Sequence, residues 1–276
     1  MMLSNAPVSW GVYHAEGAPL SAARYLDEIA AAGYGGTELG PIGFMPEDPA
    51  RLAEMLAARD LSLVGAVIVH DFSGPEAALT DMLDRVGPLL ASGGAKVATV
   101  MDAGQGTPGS ELEARVAAAM TRATRHLRDR HGLALAFHPH VLTAIETEAQ
   151  VDRLLETSEA GLCLDTGHHA FWGEDPLAYL DKARERLSAV HLKNVDERLV
   201  TEVAAGRLSP AAATRQGAFC PLADGVVDIP AFLRRLGPFE GPVVVEQDWT
   251  PAAAEPPLAL ARRNADFLAG AVVPCP

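Results

Sequence analysis

Short apolar runs and amphipathic stretches alternate along this chain. The runs are rich in Val, Leu and Ala and are bounded by Gly, Pro or polar turn residues, the pattern of strands buried on both faces of a parallel sheet. Read this way, strands are predicted at 3–10, 35–39, 61–69, 95–101, 133–138, 161–164, 187–192 and 242–246. Between them lie helical patterns at about 21–32 (Ser21 as N-cap, Gly33 as stop), 48–58, 75–90, 110–130, 147–155, 175–186, 229–236 and 258–268. Thr147-Glu148-Ala149-Gln150 has the form of a capping box. An irregular segment, 196–227, with a short helical stretch near 209–214, interrupts the rhythm after the seventh strand. It is long for a βα loop and is expected to cover the mouth of the fold.

Eight strands alternating with eight helices predict an α/β fold, a (β/α)8 TIM barrel, forming one domain over 1–276. A doubly wound sheet is the competing reading, and the lack of a Gly-x-Gly-x-x-Gly turn after the first strand weakens it.

Four of the apolar runs end on metal-ligand side chains. One ends in Asp165, one in His191 and one in Glu246; another ends in His138-Pro139-His140, with Glu146 just beyond. A carboxylate or imidazole at such a place costs stability unless it is paired or bound to a cation. In a barrel these strand ends meet at one mouth. Glu146, Asp165, His191 and Glu246 therefore form the expected metal set. Three carboxylates and an imidazole suit Mn²⁺ or Co²⁺, with Mg²⁺, Fe²⁺ or Zn²⁺ also compatible. The bland readings stay open at this point: carboxylates paired with Lys or Arg, His191 as a satisfied core histidine, and Glu146 as part of a helix start.

His168 lies one short turn beyond Asp165, placed to touch a substrate. His191 and Lys193 share a strand face, so Lys193 is expected beside the cation, with a lowered pKa and an acid or base role, or else as a salt-bridge partner. Trp10, Glu38 and His70 close strands one to three and are expected to line the same mouth as substrate contacts, together with His138 and His140.

Charge narrows the partner. With 22 Lys and Arg against 36 Asp and Glu, the formal charge is −14, which argues against nucleic acid and against a strongly anionic substrate. The expected ligand is a small neutral polyol or keto-sugar. The beginning of the sequence has no basic, apolar leader pattern and no apolar stretch approaches a membrane span, so a cytoplasmic protein is expected. The three cysteines, Cys163, Cys220 and Cys275, are far apart and form neither a zinc-type pair nor a disulfide framework.

The residues named so far resemble the xylose-isomerase-like barrels, the sugar-phosphate isomerase/epimerase superfamily. Leu164-Asp-Thr-Gly-His168, Val190-His-Leu-Lys-Asn194 and Val244-Val-Glu-Gln-Asp248 follow its strand-end pattern. Asn5-Ala-Pro-Val-Ser-Trp-Gly11, Gly33 to Gly43, Phe137 to Thr143 and Gly217 to Gly225 are similar to its inosose dehydratase branch. Two departures stand out. His138 occupies a position where many members carry glutamate, which puts the fourth ligand on Glu146 with His138 or His140 as alternatives; and Ala223 replaces an expected glycine. The resemblance implies a metal-dependent dehydratase that converts 2-keto-myo-inositol to a trihydroxycyclohexane-1,2-dione and water through an enediolate held by the ion. Lys193, Glu246 and Glu146 would be its catalytic groups. A ketose isomerase or 3-epimerase is the alternative, and a homodimer or homotetramer is the implied assembly.

Overall fold

The computed structural model describes residues 2–13, 20–249, 253 and 255–271. Cys275 lies outside them. In chain order the first half comprises β1 (Leu3–Asn5), a 3-10 turn at Pro7–Trp10, α1 (Ala22–Ala31), β2 (Gly36–Glu38), α2 (Pro49–Ala57), β3 (Ser62–Gly65), β4 (Val67–His70), α3 (Ala77–Gly93), β5 (Val97–Asp102) and α4 (Ser110–His131). The second half adds β6 (Ala134–Phe137), α5 (Glu148–Thr157), β7 (Gly161–Asp165), α6 (Thr166–Ala170), α7 (Pro176–Ala183), β8 (Leu187–Leu192), β9 (Asn194–Val195), α8 (Glu197–Ala204), α9 (Pro210–Arg215), β10 (Phe219–Cys220), α10 (Ile229–Leu236), β11 (Val243–Val245) and α11 (Pro257–Ala271).

The main sheet has nine strands in the order β3-β2-β1-β11-β8-β7-β6-β5-β4, all neighbours parallel. Its two ends, β3 and β4, are consecutive in sequence and joined through Ala66. They are the two halves of one stave, the first paired to β2 and the second to β5. Backbone bonds at the joint hold both sides: Leu39 N donates to Gly65 O, and Thr99 N donates to Ala66 O. The barrel closes there.

Side-chain parity sorts the staves into two cores. Leu135, Phe137, Leu162, Leu164, Val190 and Leu192 point outward and are buried against the helices. Each such side chain, fully buried, contributes about 1.5–3 kcal/mol. The inward positions one layer below the mouth are small: Val97, Ala136, Cys163 and Ala189 form their own cluster. Above that layer the same parity presents His138, Asp165, His191 and Glu246.

The helix starts follow their caps. Ser21 accepts from Arg24 N, and the Thr147–Gln150 capping box is present at α5. Two expectations about the chain path are corrected. The first strand stops at Asn5, because Pro7 opens a 3-10 turn that Gly11 ends with a left-handed φ of 71°. The segment 196–227 is not irregular: α8 is capped by Asp196 accepting from Leu199 N, α9 by Ser209, and β10 pairs antiparallel with β9. Val141, Phe171, Val195, Leu199, Ala213 and Phe219 give this region a small core of its own.

Candidate active site

Local rules build the site from the β7–α6 junction. Asp165 ends β7 and caps α6, one carboxylate oxygen accepting from Gly167 N and His168 N at 2.8 Å each. The other oxygen, Oδ2, has no hydrogen-bond partner among the described residues. Gly167 lets α6 lie against β8: a Cβ there would sit 2.7 Å from Lys193 Cγ and 3.1 Å from its carbonyl carbon. Thr166 clamps the facing backbone, its hydroxyl donating to Lys193 O at 2.6 Å and accepting from Lys193 N at 3.0 Å.

Around Asp165 the ligand atoms of His138, His191 and Glu246 converge, all four lying within 4.8 Å of one another and all four residues buried. His138 Nδ1 and both ring nitrogens of His191 also lack hydrogen-bond partners among the described residues. One His191 nitrogen faces Glu246 Oε2 at 3.2 Å and the other faces Glu38 Oε1 at 3.4 Å. Lys193, 1 % exposed, places Nζ 3.0 Å from Glu246 Oε2, 3.4 Å from Asp165 Oδ2, 3.0 Å from Asp248 Oδ1 and 2.9 Å from His168 Nε2. The ring of Phe219 covers that ammonium at 5.0 Å.

Three carboxylates (Asp165, Glu246 and Asp248) thus surround one lysine, and a fourth, Glu38, faces His191. Among the protein's own groups, protons meet the excess negative charge. Burial opposes the charge of His191, but Cys163, Glu246 and Glu38 together push it well above the ordinary histidine range. Burial likewise opposes the Lys193 ammonium, and Asp165, Asp248 and Glu246 overcome it. Burial, against the pull of Lys193, pushes Asp165 up to about 6. Glu246 is held well below the usual carboxylate range, burial being outweighed by His191 and Lys193. Burial keeps His138, His140 and His168 neutral. Unpartnered donor atoms, converging geometry and surplus negative charge together fit a divalent cation, whose binding would displace protons.

The structure sorts the residues expected from sequence. Asp165, His191 and Glu246 come together, and the fourth member of the group is His138 rather than Glu146. The loop after β6 turns Glu146 back so that its carboxylate accepts from Leu142 N at 2.9 Å, and burial raises its pKa. Asp102 Oδ2 pins the same loop by accepting from Ala144 N at 2.9 Å. His140 and His168 lie against each other beside Asp248, ring centroids 3.8 Å apart and planes tilted by 44°. Glu38 reaches the site, but through His191. Two expected mouth residues face elsewhere. Trp10 packs on Tyr25 and donates to Glu28 at 2.6 Å. His70 shares its strand face with Ile68 in the outer core and packs on Phe72. Among the protein's own groups, the carboxylates around Lys193 raise its pKa; the lowering expected beside a cation concerns the metal-bound site.

Sequence reasoning missed Tyr13 and Asp248. Tyr13 donates to Val67 O at 3.4 Å, and its hydroxyl is kept protonated by burial and by the nearby charges of Glu38 and Glu246. Both lie in loops, where periodicity gives no signal; only position beyond a strand-end ligand could have flagged Asp248. Ser9 and Gln247 explain part of the motif pattern: Gln247 N donates to Ser9 Oγ at 3.0 Å, and its side-chain amide donates to Phe219 O at 2.9 Å. Among the described residues no helix is long and apolar enough to cross a membrane.

The family model for xylose isomerase-like TIM barrels matches residues 26–271. An inosose dehydratase from Erwinia tasmaniensis is 33% identical over 254 residues, covering 84% of each chain. One from Lacticaseibacillus casei is 29% identical over 256 residues, covering 84% of this chain and 83% of that one. Among solved structures, the probable 3-DHS dehydratase AsbF from Bacillus anthracis superposes with a TM-score of 0.76 at 16% identity, over 98% of this chain and 99% of that one. The IolI protein, solved with a bound zinc atom, gives a TM-score of 0.75 at 15% identity, over 99% and 98%. These matches agree with the barrel topology, and the chain belongs to the xylose isomerase-like TIM barrel family, in its inosose dehydratase branch, as an enzyme of the carbon–oxygen lyase class.

Proposed function

We propose that this enzyme dehydrates an inosose, converting 2-keto-myo-inositol to a trihydroxycyclohexane-1,2-dione and water, with one divalent ion held by His138, Asp165, His191 and Glu246. The observation that carries the reading is the convergence of those four buried side chains beside Lys193, with Asp165 Oδ2, His138 Nδ1 and both His191 nitrogens lacking hydrogen-bond partners among the described residues. Two imidazoles and two carboxylates suit Mn²⁺ or Co²⁺. When bound, such an ion supplies Lewis acidity that makes the C–H next to a ketone acidic.

The chain's own groups divide the proton work. Glu246, ionised in the resting cluster, accepts the proton from the carbon next to the ketone. Lys193, held as an ammonium, donates to the departing β-hydroxyl, so that one proton and one hydroxide leave the substrate as water. Neutral His168, 2.9 Å from Nζ, orients the amine, and Asp248 anchors it from the other side. Paired acid and base groups of this kind contribute about 10²–10⁴-fold each.

Charge selects the substrate. Lys193 is the only buried Lys or Arg among the described residues, and three carboxylates surround it. A phosphorylated sugar would be repelled, whereas a neutral polyol can hydrogen-bond to His140 and Tyr13.

The test is to strip the protein with chelator, restore Mn²⁺ or Co²⁺, add 2-keto-myo-inositol and follow dione absorbance. Metal-dependent dione formation is expected. Exchange of solvent deuterium into a ketose without water loss would instead identify a ketose isomerase or 3-epimerase, and preference for a sugar phosphate would contradict the charge argument.

A further inference from the structure

We infer that the barrel holds a second, thiophilic metal site one layer beneath the first, formed by Cys163 with His138 and His191. The Cys163 thiol and one nitrogen from each imidazole lie within 4.8 Å of one another. All three residues are at least 98 % buried, His191 and Cys163 completely. His138 Nδ1 has no hydrogen-bond partner among the described residues, and the His191 nitrogens make no hydrogen bond there either, lying 3.2 Å from Glu246 and 3.4 Å from Glu38 as ion pairs that a metal at Cys163 would exchange for one metal–nitrogen bond. Cys163 precedes Asp165 by two residues on β7 and therefore points the same way, about 6–7 Å deeper in the barrel. Its neighbours there, Val97, Ala136 and Ala189, are small and apolar.

Ligand chemistry separates the two sites. The upper set offers two carboxylates with its imidazoles and suits harder ions, while the lower set replaces them with a thiolate, which selects the thiophilic ions Zn²⁺ and Cd²⁺ over Mg²⁺ and Mn²⁺; Co²⁺ is accepted by both sets and so reports on each. Zinc bonds of about 2.3 Å to sulfur and about 2.0–2.1 Å to nitrogen require the three ligand atoms to draw together by about an ångström, within reach of side-chain rotation. Binding breaks the Cys163 S–H bond, forms a sulfur–metal bond and releases one proton to solvent per ion. Because both sites use the same two imidazoles, one ion occupies one site at a time. A thiophilic ion drawn down to Cys163 leaves Asp165 and Glu246 and holds the enzyme in an inactive metal-bound form. This rests on the proposed function through the shared imidazoles.

The experiment is a Co²⁺ titration of the metal-stripped full-length protein and of its C163S, C163A and C220S variants, reading the near-ultraviolet thiolate-to-cobalt charge-transfer band and the visible d–d bands. Alanine matches Ala136 and Ala189 in the same layer, so C163A keeps the test open if serine is poorly tolerated. Expected are a charge-transfer band in the wild type and C220S, its loss in both Cys163 variants with d–d bands retained, and a fall of at least tenfold in the Cd²⁺-over-Mn²⁺ affinity ratio. Bound cobalt without the charge-transfer band in the wild type, or a band that survives in both Cys163 variants, would overturn the lower site and leave the upper one standing. Failure of the wild type to bind cobalt at all would remove both.

Discussion

Replacing Lys193 by methionine removes the charge that holds three carboxylates together while nearly keeping the volume. Nζ lies 3.0 Å from Glu246 Oε2, 3.0 Å from Asp248 Oδ1 and 3.4 Å from Asp165 Oδ2. At an effective dielectric constant near 20, each 3.0 Å pair is worth roughly 5.5 kcal/mol gross. Desolvation of the ammonium offsets much of that, and breaking such a buried network costs about 3–5 kcal/mol net. For a chain of 276 residues, with unfolding entropy of about 2.1 cal/mol/K per residue, this corresponds to a Tm lower by about 5–9 °C. The scan belongs at pH 8 without metal, where the freed carboxylates are least able to relieve repulsion by taking up protons. Adding Mn²⁺ at about 100 times its Kd should return about 2.7 kcal/mol, more than half of the loss. Turnover should still be down about 10²–10⁴-fold, because the ion replaces the charge but not the proton donor. A metal-free Tm within about 2 °C of wild type, together with turnover within tenfold, would refute the role given to Lys193.

Two further outcomes follow from groups away from the ligands. His70 is held neutral in the fold chiefly by burial, whereas in the unfolded chain it takes a proton near pH 6.5. Its contribution is therefore present above that pH and is lost as the pH falls below it. Urea midpoints measured between pH 8 and pH 5.5 should decline less steeply in H70Q than in wild type, and parallel curves would show that His70 carries no such linkage. Tyr13→Phe removes one hydroxyl at the mouth, a loss of about 0.5–1.5 kcal/mol in transition-state binding. Its kcat/KM for the inosose should fall about 2- to 12-fold with Tm unchanged within a degree or two, and an unaltered kcat/KM would take Tyr13 out of the substrate pocket.

Strand ends were legible because burial on both faces leaves a plain mark, an apolar run that stops at a charged residue. Asp165, His191 and Glu246 were found this way, and the barrel with them. Parity was less legible. His70 also ends an apolar run, but the stave breaks at Ala66, and pairing of Val69 with Met101 turns His70 outward. Trp10 was read as a strand end because Pro7 was not given its weight as a helix opener. The Glu146 assignment failed to foresee a loop held by Asp102 and by the Leu142 amide, contacts far apart in sequence or set by a left-handed residue, Leu142 at φ 70°. Helix α8 did carry a signal, Asp196 ahead of Leu199, Val200 and Val203, which the length of the surrounding loop masked.

Equilibrium Mn²⁺ binding by four proteins bears most directly on the central claim: wild type, E246Q, H138Q and E146Q, each metal-stripped and checked for folding by circular dichroism. Loss of a ligand should exceed the 10–100-fold effect typical of its supporting shell. The expected result is one ion per wild-type chain, affinity weakened more than about 100-fold in E246Q and H138Q, and affinity in E146Q within about threefold of wild type. Strong binding by H138Q with loss of binding in E146Q would contradict the ligand set. Undiminished binding in E246Q would contradict the site itself.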